Sequence, residues 1–155
     1  MTSRIVLDVN ALCEALGRAV FYGARASQLW KYSREIVDML YPAAAYPDLD
    51  DLGRALLAEA LIGRAVAAIG DISAQALGNL LGLSPGMIGR SHAERQRLAA
   101  GLFDRHPRTF RQGRYQHDLL YALAVEIYRL HTNGDIYRLH TNGDGTAATA
   151  PVLGA

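Results

Sequence analysis

Lysine is almost missing from this chain: Lys31 stands alone against fifteen arginines. Cysteine is equally scarce, and a single Cys13 excludes an internal disulfide framework or a thiolate metal cluster. No apolar run is long enough to cross a bilayer, since the best stretch, ALLAEALIGRAVAAIG, carries Glu59 and Arg64. The opening MTSRIVLDVN has no charged region leading into a sustained apolar stretch, so no signal peptide is expected. Long alternating or β-branched runs are absent before residue 127, which argues against a sheet-based fold. These absences point to an all-α protein working inside a cell, or in a virus assembled there.

What is present is positive charge in one place. Seven arginines fall between Arg90 and Arg114, opposed only by Glu94 and Asp104, in a chain whose net charge is +1. A local excess on a nearly neutral chain is the footprint of a polyanion-binding face. Arginine suits it, because its planar fork bonds phosphate oxygens bidentately. A GC-rich genome or a hot habitat would also enrich arginine without any nucleic acid. Charge alternates in blocks, with 1–34 and 90–114 basic and 35–89 and 115–155 acidic. That pattern suits one face for a polyanion and another for protein, including copies stacked acidic block to basic block.

Along the chain, residues 1–41 read as one long helical arm, with Val9, Leu12, Leu16 and Val20 as its apolar stripe. Arg18 and Arg25 fall on the opposite face with Tyr22 and Tyr32 nearby, and Lys31 and Arg34 follow. Pro42 and Pro47 mark a linker over 42–51. Asp48 or Asp50 caps the next helix, whose buried side is assigned to Leu52, Leu56, Ile62, Val66 and Ile69, with Glu59 at its edge. A helical bundle spans 52–130. Within it, Asp71 or Ser73 caps a short helix, Pro85 starts another through MIGRSHAERQRLAAGLF, and 104–114 reads as a basic loop. The last helix draws on Leu119, Leu120, Leu123 and Ile127 for the core. A tandem repeat, IYRLHTNGD, then fills 127–135 and 136–144. Asn133-Gly134 would turn it into a candidate β-hairpin, pairing Leu130 with Tyr137 and setting Arg129 opposite Arg138. A tolerated duplication would give the same letters. Residues 145–155 read as a tail.

Three motifs bear on function. DISAQALGNLLGLSPGMIGR resembles a helix-turn-helix, with Leu77, Gly78, Leu81, Gly82, Leu83 and Ile88 at the family's small and apolar positions. That resemblance implies a dimeric regulator presenting Ser84, Gly86, Met87, Arg90 and Ser91 to the major groove. IVLDVN at 5–10 is similar to the opening strand of a PIN-type nuclease, implying a metal at Asp8 with Glu35, Asp104 and Asp118 as nominees. A helix cap at Asp8 is the simpler account. The histidines His92, His106, His117, His131 and His140 have no zinc spacing, and no nucleophile–base set can be assembled. No enzyme, cofactor or metal is expected.

The layout of helical arm, proline-broken linker, Ala/Gly-rich bundle and arginine-rich segment resembles the coat proteins of filamentous and rod-shaped archaeal DNA viruses. The scarcity of lysine is similar to that of hyperthermophilic archaeal proteins. The resemblance implies a virion protein forming a helical filament on double-stranded DNA, self-associating or paired with a paralogous subunit. Phosphate contacts would fall to Arg18, Arg25, Lys31 and Arg34 first, then Arg90, Arg95, Arg97, Arg105, Arg108, Arg111 and Arg114, without sequence preference. The competing classes are the helix-turn-helix regulator and a protein–protein adaptor whose arginines meet an acidic partner.

Overall fold

The structure is a computed structural model that describes residues 7–112 and 114–144. Eight α-helices and no strands occur among them. No helix among the described residues is long and apolar enough to cross a membrane.

Residues 7–40 form three helices rather than one arm: α1 (Val9–Ala19), α2 (Ala26–Tyr32) and α3 (Arg34–Leu40). Asp8 starts α1 by accepting from the N–H groups of Asn10 (2.9 Å) and Ala11 (3.3 Å). Gly23, at φ 98°, then turns the chain, and the next N–H, of Ala24, donates to the Leu81 carbonyl (2.8 Å). Glu59 accepts from the Ala26 N–H (2.6 Å), satisfying a first-turn donor of α2 from another helix. Each piece therefore turns its own apolar stripe inward. Leu12, Leu16, Leu29, Ile36, Val37 and Leu40 are all fully buried in one core. A straight helix would carry the later ones off the buried face. The arm is part of the globule, and 42–51 is a connection inside it. There Tyr46 packs edge-on against the buried Tyr41 at 5.3 Å.

Helix α4 (Asp51–Ile69) is capped by Asp50, which accepts from the Gly53 N–H (2.6 Å). Its core face corrects the periodicity reading. Ile62 and Val66 are buried, but Leu52 and Leu56 are 51% and 52% exposed, while Ala55, Ala58, Leu61 and Ala65 face inward. The helix is apolar nearly all round, so spacing alone cannot choose a face. Arg54 decides it. Buried on the core side, its guanidinium donates to Asp38 (2.9 Å), Asp51 (2.8 Å) and the Tyr41 carbonyl (3.1 Å). The alanines let α2 and α8 approach closely on that same side.

Helix α5 (Asp71–Leu80) ends where Gly82, at φ 74°, donates to the Asn79 carbonyl (3.2 Å) and Leu83 donates back to Gly78 (2.8 Å). The helix expected from Pro85 does not form. Residues Pro85–Met87 make a single 3₁₀ turn, Gly89 lies at φ 79°, and α6 (His92–Gly101) begins only after Ser91 accepts from the Glu94 N–H (3.2 Å). A recognition helix over 85–91 is thus absent. The basic loop contains a short helix, α7 (Pro107–Gln112). Helix α8 (Tyr115–Asp144) runs through both copies of the nonapeptide, in place of the hairpin. Extending an established helix adds one hydrogen bond per residue fixed, and this outweighs the local turn preference of Asn-Gly. The 145–155 tail lies outside the described residues. Leu120, Leu123 and Ile127 of α8 are buried against α1 and α4, and Leu119 packs at their edge.

Candidate nucleic-acid interface

The charge-bearing segment is built on three short pieces. On α6, Arg95, Gln96, Ala99 and Ala100 face inward and Arg97 faces out. On α7, Phe110 is fully buried and stacks on Phe103 (6.0 Å) and Tyr115 (6.4 Å), which leaves Arg108 and Arg111 exposed. His106 starts this turn, its Nδ1 accepting from the Arg108 N–H (3.1 Å), with Pro107 at the first helical position. Gln96 Nε2 donates to Gln116 Oε1 (2.8 Å), tying α6 to the start of α8. Between α6 and α7 runs an open groove of about 390 Å³ lined by Arg97, His106, Arg108 and Arg111. Its one carboxylate, Glu94, already pairs with Arg90 at 3.3 Å. Arg105 lies over the Tyr115 ring at 5.0 Å, and Arg114 is exposed beside it in the chain.

The remaining nominated cations divide differently. Arg95 is only 4% exposed, and its guanidinium donates to the carbonyls of Val20 (3.0 Å), Leu80 (2.5 Å) and Phe21 (3.1 Å). Arg25 donates to the carbonyls of Gly82 (3.1 Å) and Leu83 (3.3 Å). Both are structural ties that no sequence pattern separated from their exposed neighbours. Arg18 pairs with Glu35 at 2.9 Å, and Arg34 lies on the Trp30 ring at 3.9 Å. Lys31 sits 5.2 Å from the centre of Tyr32, which stacks on Tyr22 at 4.1 Å. Phe21 meets Tyr22 at 4.9 Å, so three exposed rings cluster at the end of α1. Phe21 carried no sequence signal beyond being an apolar residue past the end of a stripe.

The carboxylates nominated for a PIN-type metal site do not come together among the described residues. Asp8 serves as a helix cap, and residues 9–10 open a helix where the nuclease resemblance implies a strand. Glu35 is spent on Arg18. Among the described residues no three His, Cys, Asp or Glu side chains converge to hold a metal ion. Burial first, then Arg95 and Arg111, hold the His92 imidazole below its ordinary range. Burial, with Glu14 adding to it, pushes the Cys13 thiol up and away from thiolate chemistry.

Comparison of the chain with protein-family models, curated proteins and solved structures finds no match.

Proposed function

We propose that this chain is a sequence-independent, double-stranded DNA-binding structural protein that grips the phosphate backbone through the α6–α7 groove. Its assembled form in this reading is a helical nucleoprotein filament of the kind that coats a virion. One observation carries it: Arg97, Arg108 and Arg111 line a single open groove whose only carboxylate is already paired. Arg105 and Arg114 extend the charge, with Arg105 oriented on an aromatic ring. In this reading the set neutralises phosphates with release of counterions. The burden of contact moves from the α1–α3 cations to this groove, because Arg18 and Arg25 are engaged within the fold.

The test is binding of random-sequence duplex DNA across a salt series, taken to saturation and imaged by electron microscopy. Replacing Arg97, Arg108 and Arg111 with alanine should lower the slope of log K against log salt by about 0.9 for each phosphate no longer neutralised. Arg18→Ala should leave that slope unchanged. Continuous coated filaments at saturation support the structural role. Occupancy of discrete half-sites would favour a regulator, and an unaltered slope in the triple variant would remove the groove from the interface.

A further inference from the structure

A second cluster of arginines surrounds a different space. The α1–α2 turn, the α5–α6 connection and α6 enclose a cavity of about 220 Å³ lined by Arg25, Arg90 and Arg95, together with Gln28 and the backbone of Gly82 and Gly89. We propose that this cavity is a phosphate-binding site, with the three guanidinium groups as its cations. It shares no residue with the triad of Arg97, Arg108 and Arg111, so it stands whether or not the groove binds DNA.

The lining contains three positive charges and no carboxylate. Arg95 is buried, yet no carboxylate lies within 4 Å of its guanidinium or that of Arg25 among the described residues. Main-chain carbonyls at the ends of α1 and α5 take part of the Arg95 charge, and burial still lowers its proton affinity. Like charges gathered around a partly enclosed space repel unless an anion sits among them.

Donor accounting points the same way. A guanidinium has five N–H donors. Arg95 spends three on carbonyls and Arg25 spends two. Arg90 spends one on Gly86 and one on Glu94. Each keeps two or three, eight together, about twice what one planar carboxylate accepts. A tetrahedral oxyanion offers oxygens on all sides and matches arginine forks. The volume is that of roughly seven waters at about 30 Å³ each. That suits a phosphate group with its first ester atoms, and falls below the ~300 Å³ at which pockets begin to hold a whole small ligand. The phosphate can be free, on a small molecule, or part of a nucleic-acid backbone.

Titration of the full chain with inorganic phosphate, at ionic strength held constant with chloride, tests the site by calorimetry and thermal unfolding. Phosphate should bind stoichiometrically and raise the melting temperature by roughly 8 °C at a hundredfold excess over Kd. Arg90→Gln should weaken phosphate about tenfold or more. Its side chain is half-exposed and holds only Gly86 and Glu94, so the fold should survive; Arg90→Lys, which keeps charge but loses the fork, provides a second variant. Arg64→Gln, at an exposed arginine of α4 that lines neither the cavity nor the groove, should bind phosphate as the wild type does. A short duplex that displaces phosphate from the Arg97/Arg108/Arg111 triple variant identifies backbone phosphate as the source, and failure to compete identifies a small phosphorylated ligand. Equal effects of phosphate and chloride, or wild-type phosphate affinity in Arg90→Gln and Arg90→Lys, would overturn the assignment.

Discussion

At the scale of the residue, neighbours only two apart take opposite roles. Arg95 is buried among three main-chain carbonyls that end α1 and α5, whereas Arg97 faces the groove. Arg95→Met should cost about 3 kcal/mol or more, because buried carbonyls lose a charged donor. Arg97→Met should barely move the midpoint in the same urea titration. His92 shows how burial is felt through pH. It opens α6, its ring meets Phe21 at 5.1 Å, and its imidazole is held below 6.5 by burial and then by Arg95 and Arg111. The unfolded chain therefore takes up this proton before the folded one does. The stability is present above pH 6.5, declines as pH falls below it, and is fully lost below the folded value. Thermal unfolding from about pH 8 to pH 5 should show that decline, and His92→Gln should make it shallower. A His92→Gln curve parallel to the wild type would refute this account.

At the scale of the element, α7 is the shortest of the α-helices among the described residues and depends on its neighbours. Six residues are too few for an isolated helix in water. The turn exists because Pro107 suits a first position, His106 caps it, and Phe110 anchors it beneath Phe103 and Tyr115. Phe110→Ala should destabilise the fold by about 3 kcal/mol through the cavity it leaves. It should also reduce the salt slope of DNA binding while leaving every charge in place. A stability loss with the slope intact would mean that charge alone matters and placement by α7 does not. The starts of α1 and α4 were legible in the sequence, since Asp8 and Asp50 each cap through their own side chains, whereas the cap at Ser91 falls inside the helix expected from Pro85. The break after Ala19 was not, because the turn that follows it is held by Glu59 and Leu81, remote in the chain.

At the scale of the whole molecule, one core takes up the apolar faces of what the sequence divides into arm, linker and bundle. A protein of net charge +1 with a basic groove has an acidic remainder, most of it over 35–89. The filament reading therefore predicts that neighbouring copies meet acidic block to basic block. Sedimentation should show self-association weakening as salt rises from about 0.1 M to about 1 M, where the Debye length falls from roughly 10 Å to 3 Å. Association that ignores salt would instead point to apolar packing between copies, for which the half-exposed Leu52 and Leu56 are the first residues to change.

By itself the sequence determined the all-α class, the capped starts of α1 and α4, the buried stripes of α1 and α8, and the concentration of arginine between 90 and 114. These are local properties, written in spacing, caps and composition. Only the tertiary structure decided which arginines are ties and which are exposed, and which face of α4 is core. Burial, and the choice among competing hydrogen-bond partners, depend on residues far apart in the chain meeting in space. Arg95 owes its place to Val20 and Leu80, seventy-five and fifteen residues away.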